Sequence, residues 1–402
     1  MSTARFPATL PIPEEVLRIA KKLEEAGFET WCVGGAVRDN LLGLENMDFD
    51  LATAAKPEDV QRLFSRTVPV GVEHGTVAVL GRGPKPHEVT TFRRDVKTDG
   101  RHAVVEFGVS LDDDLARRDF TINAIAHHPL SREWRDPFDG YADLGRGIVR
   151  AVGHPGRRFQ EDYLRILRAL RFAARFGFAI DPKTWEAALA NADGLKHLSA
   201  ERVRDEWFKG LEGAKRPGQL VRLWDEVGAL RMWLPEVGEP NDENIDRLAI
   251  RDPVLITSHL SADPAATLTR LRCSNAEIER GRRIGAHRGE HPGPESGPAL
   301  RRWMSVAGSA VDDLVALARA AEPRYGERLG GAVKEARAAR APLTLGDLAI
   351  TGDDLKAAGL PQGREMGVIL RRLLDLVLED PSGNTRAALL EAARKMEAER
   401  ER

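Results

Sequence analysis

The stretch WCVGGAVRDNLLGLENMDFDLAT, residues 31–53, carries the reading from which the rest follows. It contains Asp48-Phe49-Asp50. On a β-strand alternate side chains share a face, so Asp48 and Asp50 would present two carboxylates together while Phe49 and Leu51 turn into a core. Two hard oxygen donors with no Cys or His beside them suit Mg²⁺ rather than zinc. Upstream, Gly34-Gly35 follows an apolar strand end at Trp31 and Val33 and leads into Ala36-Val37-Arg38-Asp39. A glycine turn opening a short helix offers bare backbone N–H groups, from Gly35 onward, to a phosphate. Arg38 adds a guanidinium able to grip a phosphate oxygen bidentately; a surface ion pair with Asp39 or Asp48 is its plainer alternative. The P-loop spacing and the dinucleotide fingerprint are both absent. Metal and phosphate groups side by side point to phosphoryl or nucleotidyl transfer, although D-x-D alone also serves metal-dependent glycosyltransferases.

Working outward, residues 13–26 (PEEVLRIAKKLEEA) have an early Pro, Glu in the first turn, apolar Val16, Leu17, Ile19 and Leu23, and Gly27 as a stop, which predicts a helix. Strand-like pieces at 29–33, 47–52, 76–80 and 88–92 alternate with helices near 37–42 and 57–64. Such mixing predicts an α/β or α+β domain ending near residue 150. From Gly156 onward the pattern turns helical, with segments at 160–176, 183–190, 200–212, 217–229, 276–286, 312–321, 346–358 and 384–400. Breaks rich in Pro and Gly at 235–240 and 289–297 divide that part further.

At 402 residues the chain exceeds one compact core and predicts two to four domains. Formal net charge is −2 with 30% charged residues, so any basic surface is local. Two cysteines, Cys32 and Cys273, make neither a disulfide framework nor a zinc site and suit a reducing compartment. The first residues lack an apolar signal core, and no apolar run approaches the ~18 residues of a membrane span. The expectation is a soluble, cytoplasmic protein with no membrane association.

Two further clusters carry charge in unusual places. Arg117-Arg118-Asp119 stands at the start of the apolar run FTINAIA, where burial is costly unless the charges are paired or face an anion. In 161–172 (EDYLRILRALRF), Tyr163, Ile166, Leu167, Leu170 and Ala174 form one apolar face at roughly 100° per residue. Asp162 and Arg165 fall about 60° apart on the other side, with Arg168, Arg171 and Arg175 continuing around it. Residues 157–175 hold six arginines against two acids. A solvated face with an i,i+3 pair between Asp162 and Arg165 is the plain reading.

These clusters, in this order, resemble the class II tRNA nucleotidyltransferase and bacterial poly(A) polymerase family, the CCA-adding enzymes. The resemblance spans roughly residues 28–212, through WCVGGAVRDNLLG…MDFDLAT, GVEHGTVAVL…HEVTTFRRD, LARRDFTINAIA, DPFDGYADL, EDYLRILRALRFAARFGF and AERVRDEWFKGL. It implies an α+β fold: a mixed-sheet nucleotidyltransferase head (1–150), a helical neck bearing a nucleotide-selecting helix (151–235), a helical body (236–297) and a helical, tRNA-binding tail (298–402). It implies that Asp48 and Asp50 are the metal carboxylates, with Mg²⁺ as cofactor, and that Gly35 and Arg38 contact the triphosphate. Arg118 would contact the nucleotide, and Asp162, Arg165, Arg168 and Arg171 would line the helix that serves as a protein template for the incoming base. Glu88, on a neighbouring predicted strand, is a weaker candidate beside the metals, because it can equally pair with Arg93 or Arg94.

The implied reaction is addition of C, C and A to the tRNA 3′ end from CTP and ATP, with tRNA as partner and no obligate protein partner evident. Sibling activities are CC-only, A-only and poly(A) synthesis. Residues 92–102 supply the flexible loop that CC-only members lack, and 384–402 balance Arg and Lys with Glu, unlike the basic tail of poly(A) polymerases. Rivals from other classes are a catalytically silent RNA-binding module and a sugar-transferring enzyme. Two repelling carboxylates argue against the first, and the Arg118 and Asp162/Arg165 segments against the second.

Overall fold

The computed structural model describes residues 6–71, 75–81, 83, 85–98, 103–238, 243–290, 292–293, 297–360 and 363–400. It divides into two compact units, Met1–Trp233 and Leu234–Arg402.

The first unit opens with α1 (Glu14–Glu25), whose Val16, Ile19, Ala20 and Leu23 are buried and whose end is marked by Gly27 at φ +86°. Next come β1 (Thr30–Val33), α2 (Gly35–Leu41), β2 (Asp50–Thr53), α3 (Pro57–Leu63), β3 (Thr67–Gly71), β4 (Thr76–Leu80) and β5 (Pro86–Thr91). A hairpin follows, β6 (Arg93–Thr98) with β7 (Ala103–Phe107), then α4 (Leu111–Ala116), β8 (Ala126–His127), β9 (Trp134–Arg135), α5 (Gly140–Arg146) and β10 (Ile148–Val149). The seven-stranded sheet runs β3-β4-β5-β2-β1-β8-β9. It is mixed: β2 pairs with β5 in parallel and with β1 antiparallel. Phe49 and Leu51 enter one core with Val16, Ile19, Leu23, Val77 and Val89, while Ala52 joins Trp31, Val33, Phe92 and Leu115 on the opposite face. That alternation puts Asp50 on the second face, at the very start of its strand.

Helices complete the unit: α6 (Pro155–Glu161), α7 (Leu164–Phe176), then the short β11 (Ala179–Ile180), α8 (Pro182–Ala190), α9 (Ala200–Gly213), α10 (Pro217–Glu226) and α11 (Ala229–Trp233). On α7 the residues Ile166, Leu167, Leu170 and Ala174 are wholly buried, as the periodicity predicts.

Three local expectations are corrected. The strand expected from residue 47 begins at Asp50, so Asp48 lies in the extended approach to it. The single helix expected over 160–176 is interrupted: Asp162 is extended (φ −158°, ψ 107°), and its Oδ1 accepts the Leu164 N–H at 3.1 Å. An aspartate competes for nearby backbone donors in this way, and here it stops one helix and starts the next. The stretch 92–102, expected as a loop, supplies strand β6 instead; residues 99–102 lie outside the described residues.

The second unit is built from α12 (Glu243–Asp246), α13 (Pro253–Leu260), α14 (Pro264–Arg270), α15 (Asn275–His287), α16 (Pro298–Ala307), α17 (Val311–Ala321), α18 (Pro323–Ala338), α19 (Gly352–Ala357), α20 (Arg364–Glu379) and α21 (Arg386–Arg400). Asp252, Asp263 and Ser274 cap α13, α14 and α15 through their side chains. Leu348, Ile350, Leu355, Leu373, Val377 and Leu389 form a separate cluster towards its end. Among the described residues, no helix of either unit is long and apolar enough to cross a membrane.

Candidate active site

The pairing of Val33 with Asp50 across β1 and β2 decides where the site lies. It sets the glycine turn that follows β1 next to the first residue of β2. Gly34 adopts φ +80°, ψ −139°, which glycine reaches without the cost of a Cβ. A Cβ there would stand 3.4 Å from both Asp50 Oδ2 and Arg118 Nη1. Backbone, acid and guanidinium therefore meet at one point.

They open onto a cavity of about 570 Å³ lined by Gly34, Gly35, Arg38, Asp50, Arg118, Asp162, Arg165, Arg168 and Arg171, with Arg117, Asp119, Asn123, Leu164, Phe172, Arg175 and Arg202. Eight of these side chains are arginines and three are aspartates, so the cavity suits a polyanion. Every residue singled out in the sequence as nucleotide-binding lines it. Asp48 is exposed and is not among the lining residues.

The acid corner consists of Asp48, Asp50 and Glu88. Leu51 pairs with Val89 in the parallel β2–β5 ladder, so Asp50 and Glu88, one step back on each strand, are neighbours on one face. Burial pushes the Asp50 carboxyl up to about 6; the negative charges of Glu88 and Asp48 add to the rise and Arg118 opposes it. Among the described residues no group of three or more His, Cys, Asp or Glu side chains is arranged to hold a metal ion; the crowded carboxylates of Asp50 and Glu88 would offer a hard divalent cation oxygen donors only, and its charge would reverse the shift.

Opposite stands a wall of arginines, each tied to an acid. Arg38 is 4% exposed. Its Nε and Nη2 donate to Asp39 Oδ1 at 2.8 and 2.6 Å and its Nη1 to Asn123 Oδ1 at 2.5 Å. Its guanidinium lies against the rings of Phe172 and Phe176 at 4.9 and 5.0 Å. The ion pair with Asp39 thus exists, but buried inside the cavity wall rather than at the surface. Arg175 reaches Asp39 from α7 at 3.0 Å. Arg168 donates to Asp119 Oδ2 at 2.7 Å, and Arg171 to Glu206 of α9 at 2.6 Å. Burial works to raise the Asp119 carboxyl, but the Arg168 charge and donors from Asn123, Arg168 and the Phe120 N–H bring it below the usual carboxylate range. Arg118 donates to Asp114 at 3.1 Å, while its Nε is buried and has no hydrogen-bond partner.

Asp162 and Arg165 do not pair with each other. Arg165 Nη1 donates to Glu161 at 2.6 Å and to the Arg158 carbonyl at 3.1 Å. Asp162 Oδ2 accepts from Arg202 of α9 at 2.7 Å. Arg158 binds the carbonyls of Ala116 and Arg117, at 2.6 and 3.2 Å, and so stitches α6 to the Arg117-Arg118-Asp119 segment. Sequence reasoning assigned no role to Arg202, Asn123 or Arg175, and read Asp39 and Asp119 only as possible ion-pair partners; nothing in local spacing marks these residues as sharing one cavity.

Known proteins share this fold. A family model described as the poly A polymerase head domain matches residues 30–150, and one for the probable RNA- and SrmB-binding site of polymerase A matches 177–239. The fold is that of a nucleotidyltransferase. The CCA-adding enzyme of Limosilactobacillus fermentum is 36% identical over 96% of this chain and 98% of its own. That of Lacticaseibacillus paracasei is 35% identical over 98% and 100%, and that of Ligilactobacillus salivarius 47% identical over a stretch covering 52% of each chain. The Bacillus stearothermophilus CCA-adding enzyme in complex with CTP superposes with a TM-score of 0.81, 31% identity, and coverage of 98% of this chain and 99% of that one. The chain belongs to the tRNA nucleotidyltransferase and poly(A) polymerase family, that of the CCA-adding enzymes. Enzymes of this family use divalent metal ions.

Proposed function

We propose that this enzyme adds C, C and A to the 3′ end of tRNA, without a nucleic-acid template, from CTP and ATP. The carrying observation is that Asp162 and Arg165 line the same cavity as Gly34, Gly35 and Asp50. A base-reading pair and a phosphate turn thereby share one space.

Cytosine and adenine both show an exocyclic amine beside an unprotonated ring nitrogen. Asp162 accepts from the amine and Arg165 donates to the ring nitrogen. Uracil and guanine present a carbonyl beside an N–H, so both contacts are mismatched. A site built to hydrogen-bond discriminates on the order of 10⁴-fold against such a mismatch. Gly35 and Arg118 meet the triphosphate. Arg38, with three of its five N–H groups already committed, contributes fixed charge and its remaining donors. Arg168 and Arg171 extend the positive wall along α7. Asp48 and Asp50 hold Mg²⁺, with Glu88 next to them on the sheet; when bound, the metal eases deprotonation of the tRNA 3′-hydroxyl and neutralises the leaving pyrophosphate. The hydroxyl oxygen bonds to the α-phosphorus as the bond to pyrophosphate breaks. Residues 1–150 act as catalytic head and 151–235 as the selecting neck; 236–297 and 298–402 act as body and tail carrying the tRNA. The setting is the cytoplasm.

The test is incubation with Mg²⁺, a tRNA lacking its 3′ end, and single nucleotides. Growth by two C's and one A, and no further, is expected. Long A tails, or arrest after CC, would reassign the enzyme to a sibling activity.

A further inference from the structure

We infer that Arg202 is a positioning residue for base selection: it holds the Asp162 carboxylate open to the base and away from Arg165. The inference rests on the reading of Asp162 and Arg165 as the base-reading pair.

Asp162 and Arg165 are three residues apart across a helix start, carry opposite charge, and line one cavity. Opposite charges this near each other in the chain attract, so contact between them would be favourable. Closure would consume the acceptor and the donor that a base needs. In the structure both are drawn apart. The Asp162 Oδ1 is fixed by the Leu164 N–H at 3.1 Å and Oδ2 by Arg202 Nη2 at 2.7 Å. Arg165 is turned to Glu161 and the Arg158 carbonyl. A carboxylate has about four lone-pair sites, so two contacts leave capacity for an incoming amine.

Arg202 can do this because α9 is itself braced against α7. One turn further along α9, Glu206 is 5% exposed and accepts Arg171 Nε at 2.6 Å. Ser199 caps the first turn of the same helix. Arg202 and Glu206 are thus two arms of one helix, one on the base-reading acid and one on the arginine wall.

The experiment compares kcat/KM for CTP and UTP on a tRNA lacking its 3′ end, for the full chain and for Arg202→Ala, Arg202→Gln and Arg202→Lys. The expected result is a CTP-over-UTP preference reduced at least about tenfold in the first two, with a smaller reduction in Arg202→Lys. Adding Arg202→Ala to Asp162→Ala should cause no further loss of preference, because the carboxylate it positions is gone. An unchanged CTP-over-UTP preference, whether or not kcat/KM falls equally for both, overturns the proposal and leaves Arg202 a structural or phosphate contact. If Arg202→Ala and Arg202→Gln fail to fold, an unchanged preference in Arg202→Lys overturns it equally. Asp162→Ala and Arg165→Ala are measured in parallel. If neither relaxes base choice, the base-reading pair itself is wrong; if they relax it and the Arg202 variants do not, only the role of Arg202 falls.

Discussion

Asp50 and Asp119 face the same cavity and are held in opposite electrostatic states. Asp50 is crowded by Glu88 and Asp48 as well as buried, and its carboxyl rises to about 6. Asp119 is enclosed more completely, yet Arg168, Asn123 and the Phe120 N–H hold it below the ordinary range. The difference separates two uses of charge. Around Asp119 the protein has satisfied its own electrostatics, which makes a rigid wall. Around Asp50 it has left negative charge unneutralised, which costs stability and leaves a place for a cation. In the proposed function, nucleotide binding and chemistry are divided between a finished network and an unfinished one.

The strongest way to break this comparison is to remove the unfinished charge. Asp50→Asn should lower incorporation of both C and A by at least ~10³-fold, while circular dichroism shows the fold retained. Survival of either activity would place the metal carboxylates elsewhere. On the other side, Asp119→Ala strands Arg168 and should cost about 3–5 kcal/mol in urea unfolding of the full chain. A cost below about 1 kcal/mol would show that Glu206, 3.9 Å from Arg168, takes over the pair.

A smaller effect separates selection from both. Arg165→Ala should relax preference for CTP and ATP over UTP and GTP by roughly 10²-fold, half of the two-contact discrimination on a logarithmic scale, while tRNA affinity changes less. Unchanged selectivity among the four nucleotides removes Arg165 from base reading.

The smallest concerns stability with the metal chelated. The folded Asp50 carboxyl titrates near 6, above its unfolded value of about 3.9, so protonation favours the folded state. The Asp50 contribution to stability should therefore rise as pH falls from 7 towards about 4, while buried His127, lowered to about 4, takes stability away over the same range. The difference between Asp50→Asn and the parent isolates the Asp50 part: the variant should be more stable at pH 7 by roughly 1–3 kcal/mol, and the gap should close towards pH 4. Asp119 runs the other way, because its contribution is present above about 3.9 and is lost as pH falls below it. A chelated Asp50→Asn protein no more stable than the parent would show that the acid corner carries no unrelieved repulsion.

Much of the first unit was legible beforehand. The strand at Thr76–Leu80 follows from a short apolar, β-branched run buried on both faces, and the burial of Phe49, Leu51 and the apolar face of α7 from period-2 and period-3.6 patterns, because water removes apolar groups from one face. Other elements were not legible. Helix α13 reads PVLITSHL and is buried nearly all round, so it has no polar face to give a period. Helix α18 contains Gly326, Gly330 and Gly331, which look like breakers. A Cβ at Gly326 would lie 2.3 Å from the Arg319 backbone nitrogen, so that glycine serves the close approach of α17 and α18. The break at Asp162 was hidden because the flanking residues keep a helical pattern on both sides.

By itself the sequence determined the chemistry available: the D-x-D acids, the glycine turn, the arginine-rich helix, and their order, which is enough to specify family and reaction class. Only the tertiary structure decided how those groups are spent. It buried Arg38 against Asp39, set Glu88 beside Asp50 through a parallel strand register, and brought Arg202 from α9 onto Asp162. The reason is that residue type and period act within one element, whereas partner choice among charged groups depends on which elements pack together, over separations such as the 40 residues between Asp162 and Arg202.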